Sequence, residues 1–160
     1  MSDLMDHLGS DTLPASLINA FVRWCMLEQA RPALVTVLMK FGLVDLAAQV
    51  EATDDNTELL TLSSEIHQQV QAMGAKSSTG PLGFSAAKAA TYEFGNLMRA
   101  ANENPVDAEA VAFFAARICG WAGWAGADFA EPERKSTEEH QARQTQEHKL
   151  QSLWQQSSPT

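Results

Sequence analysis

The stretch from Asn104 to Ala130, NPVDAEAVAFFAARICGWAGWAGADFA, restricts the fold more than any other part of the chain. Stepping by three and four, as a helix requires, sorts it into a bulky seam of Val111, Phe114, Ile118 and Trp121. Beside it runs a small seam of Ala112, Ala116, Cys119, Gly123 and Gly126. A helix that is apolar nearly all round has to be surrounded, by other helices or by lipid. The run from Ala110 to Ala127 approaches membrane-spanning length, and its Ala/Gly spacing is of the kind membrane helices use. Arg117 sits mid-span, however, Glu109 and Asp128 crowd its ends, and the rest of the chain is too polar to supply a second span. The expectation is an all-α fold, an irregular or orthogonal bundle of six to seven helices around a central helix at about 104–130.

The other segments supply the helices that surround it. Pro14 and the apolar set Leu17, Ile18, Phe21, Trp24 and Cys25 predict a first amphipathic helix. It is expected to stop at Arg31, because a residue before proline avoids the helical region. Pro32 can then open a second helix carrying Leu34, Val35, Leu38 and Met39, with Gly42 as its stop. Val44, Leu46, Ala47 and Val50 suggest a third, running into the turn-prone segment EATDDNTE. Leu59, Leu62, Ile66, Val70 and Met73 recur at helical steps and predict a helix over about Asn56 to Met73, ended by Gly74.

Ser, Thr, Gly and Pro concentrate in AKSSTGPLGF, so 74–84 reads as an internal loop, with Ser85 capping the next helix. Asn104 is a suitable cap for the central helix, with Pro105 in its first turn and Asp107 in the positive field there. Pro132 opens the last helix. Its middle, RKSTEEHQARQTQEHK, reads as polar on every side, leaving Leu150, Leu153 and Trp154 as the apolar anchor. The chain thus reads as one domain over 1–160, with a loose N-terminus (about 1–11) and a frayed C-terminus (about 155–160).

Composition narrows the functional classes. A chain of 160 residues buries roughly 70% of its unfolded surface, so it needs no disulfide or metal for stability. Cys25 and Cys119 lie far apart in sequence within apolar patterns and read as reduced core thiols. The acidic N-terminus MSDLMDHLGS lacks the basic region of a secretory signal, which points to the cytoplasm. With 11 basic and 20 acidic residues the formal charge is −9, which argues against nucleic-acid and anionic-membrane binding and fits a basic protein partner.

Catalytic and metal signatures are sparse. GPLG lacks the Lys and Ser/Thr of a phosphate-binding loop, and no Gly-x-Ser-x-Gly elbow occurs. His140 and His148 share a helical face with Gln144 between them, where a metal would want a stronger ligand. His67 sits among glutamines on a helix, and His7 falls in the terminus expected to be loose. No catalytic residue, metal site or cofactor is assigned, and the expectation is a non-enzyme. Trp121 and Trp124 read as core. Glu51, Asp54, Asp55 and Glu58 form the densest acidic group away from the termini and are the candidate partner-binding residues.

FVRWCMLEQARPAL, from Phe21 to Leu34, and the later AEAVAFFAARICGWAGWAGADFAEPERKSTEEHQARQTQEHKLQSLW resemble the alanine-rich, all-helical immunity proteins found beside bacterial toxin genes. The resemblance covers about half the chain and carries no catalytic residues. It implies a cytoplasmic protein that binds and neutralises a cognate toxin; a basic nuclease, whose cleft acidic residues would occupy, is one such target. A helical adaptor or oligomeric scaffold is the second reading, and a small enzyme or metal-binding bundle the third.

Overall fold

The structure, a computed structural model, describes residues 5–9, 12–74, 80–157. Among them every regular element is helical, in the order α1 (Ala15–Trp24), a π-helical segment (Cys25–Ala30), α2 (Arg31–Phe41), α3 (Val44–Ala52), α4 (Asn56–Met73), α5 (Gly80–Ala101), α6 (Ala108–Gly126) and α7 (Glu133–Ser157). Since α1, the π segment and α2 are continuous, these elements make six rods. No helix is long and apolar enough to cross a membrane.

The expected break before Pro32 is absent. The chain winds straight through it, and the Arg31 N–H bonds the Met26 carbonyl five residues back. Proline removes one backbone donor, and its ring collides with the carbonyl four residues earlier in a regular helix. A π turn widens the helix just there and turns that carbonyl aside, so the rod survives. The helical stop comes later, at Gly42, whose φ of +96° closes α2 in the left-handed region.

Other boundaries follow the caps. Asp55 caps α4 by accepting the Glu58 N–H at 3.0 Å. The apolar helix begins at Ala108 rather than near 104, because Asp107, not Asn104, is its cap and accepts the Ala110 N–H at 3.2 Å. Its end is also earlier than expected. Asp128 and Phe129 take positive φ values of 55° and 62°, and the Phe129 N–H bonds the Trp124 carbonyl at 3.0 Å. The expected loop over 74–84 shrinks as well. Gly80, Pro81, Leu82, Gly83 and Phe84 already belong to α5, with proline in the first turn where its missing donor is harmless. The remainder of that loop, 75–79, lies outside the described residues, as do 1–4, 10–11 and 158–160 of the termini expected to be loose.

One core runs from Met5 to Leu150. Met5 and Leu8 are buried in it, so the described part of the N-terminal stretch packs onto the bundle. α6 touches α7, α5, α2, the π segment and α1. Val111 and Ile118 of its bulky seam are fully buried, whereas Phe114, Trp121 and Trp124 are partly exposed. Its glycines set the approach of α7: a Cβ added at Gly120 would lie 2.8 Å from the Lys135 carbonyl oxygen, and one at Gly123 would lie 2.8 Å from Glu138 Cβ. Gly126, grouped with them by spacing, faces open space.

Candidate functional site

The α3–α4 corner carries the acidic group. Glu51 lies on the outer face of α3, Asp54 and Asp55 in the short link, and Glu58 in the first turn of α4; all four are exposed. The fold therefore gathers them on one edge, and it gives two of them structural work. Asp54 pairs with Arg31, whose Nη1 also donates to the Thr53 carbonyl at 2.9 Å, and Asp55 is the α4 cap. Glu51 and Glu58 are left facing water.

The α2–α3 end exposes residues that sequence periodicity placed inside. Met39 is 50% and Val44 53% exposed. Both fit an apolar helical pattern, but α2 and α3 are short, and the core claims Ala33, Leu34, Val37, Leu38 and Phe41 of one and Leu46, Ala47 and Val50 of the other. Val44, Ala48 and Glu51, at helical steps along α3, are exposed together, with Asp45 beside them.

Two polar connections inside the bundle escaped the sequence reading. Gln146 of α7, fully buried, donates through Nε2 to Gln29 Oε1 at 2.8 Å and to the Ala112 carbonyl at 2.8 Å. Gln29, in the π segment, donates in turn to the Ala142 carbonyl at 3.0 Å. These bonds join the π segment, α6 and α7, and they correct the expectation that the middle of the last helix is polar on every side. Ala142, Gln146 and Leu150 are its buried stripe. The four-residue spacing was the available signal, masked because an amide counts as polar.

Glu93 of α5 makes the second connection. It is buried, pairs with Arg117 of α6 through one oxygen, and accepts the Trp121 indole N–H at 2.8 Å through the other. Arg117, which argued against a membrane span, is thus a tie between helices. Trp124 packs against Trp121 and, edge-on, against Phe129, and its indole N–H is buried without a hydrogen-bond acceptor.

The two cysteines, remote in sequence, face one another's helices in the fold. Burial pushes the Cys25 thiol far up, with the Cys119 thiol adding to it. Burial, and after it the Glu138 carboxylate, pushes Cys119 up to about 12. Both are free thiols, and Cys119 Sγ lies 3.8 Å from the Gln29 carbonyl. A thiolate is disfavoured at either position, so neither is placed as a nucleophile at neutral pH.

His140, Gln144 and His148 are exposed on α7. Among the described residues no group of three or more His, Cys, Asp or Glu is arranged to hold a metal ion. His67 does have a partner. Its Nδ1 lies 3.0 Å from Thr91 Oγ1 on α5, and Gln71 Nε2 lies 3.3 Å from its Nε2. Compared with family models, curated proteins and solved structures, the chain matches none of them.

Proposed function

We propose that this chain is an immunity-type binding protein that neutralises a toxin partner, acting in the cytoplasm by occlusion rather than by turnover. The observation that supports this reading is the composition of the α3–α4 edge. Glu51, Asp54, Asp55 and Glu58 are exposed there together, and Val44, on the same α3 face as Glu51 by helical spacing, presents carbon to solvent toward the start of that helix. An apolar anchor flanked by charges of one sign is how a tight protein interface is built: the anchor slows dissociation and the charges raise the association rate. A basic surface, such as the substrate cleft of a nuclease, is the complement of such an edge. In this reading the bundle is organised around α6, and the Arg31 tie to Asp54 and Thr53 holds the edge in a fixed shape, lowering the entropy lost on binding.

The scaffold alternative, in which the last helix docks on a partner, fits less well, because α7 already buries Ala142, Gln146 and Leu150 in its own bundle. The test is co-expression with the product of the adjacent reading frame. The protein is expected to restore growth and to co-purify with that product. Reversing two charges together, Glu51→Lys and Glu58→Lys, is expected to slow association at low salt without changing thermal unfolding. Failure of the unaltered chain both to restore growth and to co-purify would count decisively against the reading.

A further inference from the structure

We draw no further inference here: the strongest candidate, the exposed aromatic patch on α6 in which Phe113 meets Phe114 edge-on with the Arg117 guanidinium 5.6 Å from the Phe113 ring centroid, carries nothing because nothing in the structure shows what covers it.

Discussion

Replacing Gly120 with alanine adds one methyl group where α6 and α7 cross. The new Cβ would lie 2.8 Å from the Lys135 carbonyl oxygen, 3.2 Å from Lys135 Cγ and 3.3 Å from Glu139 Cβ. Carbon and carbonyl oxygen rarely approach closer than about 3.3 Å, so α7 must retreat by about 0.5 Å at this point. The obstacle is backbone, which cannot swing aside as a side chain can. A gap of that size forfeits roughly a quarter of the dispersion energy of the atoms it separates. Overpacking costs typically about 2–3 kcal/mol in a crossing that cannot yield, while alanine in a helix interior is better than glycine by about 1 kcal/mol. The net expectation is destabilisation by about 1–2 kcal/mol, a fall in Tm of about 3–6 °C for a chain of this size.

Gly95 of α5 is the control. Its added Cβ would meet nothing nearer than Arg99 Nη1 at 3.7 Å, so Gly95→Ala should stabilise by about 0.5–1 kcal/mol. Urea unfolding followed by far-UV circular dichroism measures both. If Gly120→Ala proves as stable as the parent, the close approach of α7 to α6 at this glycine is wrong, and so is the claim that the α6 glycines set the approach of α7.

Three further outcomes can be checked. Gln146→Leu is expected to destabilise by about 2–4 kcal/mol, because Gln29 Oε1 and the Ala112 carbonyl lose their donor while staying buried. In a double-mutant cycle with Gln29→Leu the two losses should sum to more than the double variant shows. Trp124→Phe removes an indole N–H buried without an acceptor and should cost less than about 1 kcal/mol, the gain at the orphaned donor offsetting the smaller ring; a loss of several kcal/mol in thermal unfolding would refute this. The folded thiols hold their protons above the ordinary value near 9.0, Cys119 up to about 12 and Cys25 further. Between those limits the unfolded chain releases protons that the native chain keeps, so the thiol contribution to stability is intact below pH 9 and is lost as pH rises toward 12. The urea midpoint should fall over that interval, and fall less steeply in a Cys25→Ala, Cys119→Ser variant.

Much of the helical layout was legible in residue order. Asn56–Met73 was bounded correctly by apolar spacing and Gly74, and the positive φ at Gly42 ended α2 where glycine was expected to. The acidic group at 51–58 was found because like charges were adjacent along the chain, and the fold kept them exposed. The misplacements share a cause. Arg31 and Pro32 looked like a boundary because local sterics forbid a regular helix there, but a π turn is a non-local bargain, stabilised by burying Cys25, Met26, Leu27, Gln29 and Ala30 against the rest of the bundle.

The sequence alone determined that the chain is helical, where most rods begin and end, and what sign of charge it shows the solvent, since these depend on capping, periodicity and composition within a few residues. Only the tertiary structure decided that Gln29 reaches Gln146, that Glu93 ties Arg117 to Trp121, and that His67 meets Thr91. Such pairs join residues far apart in the chain, and a polar side chain is inside or outside according to the partner it finds there. Hydropathy cannot foresee that partner, because the desolvation cost of an amide or a carboxylate is cancelled by geometry that exists only after the helices have packed.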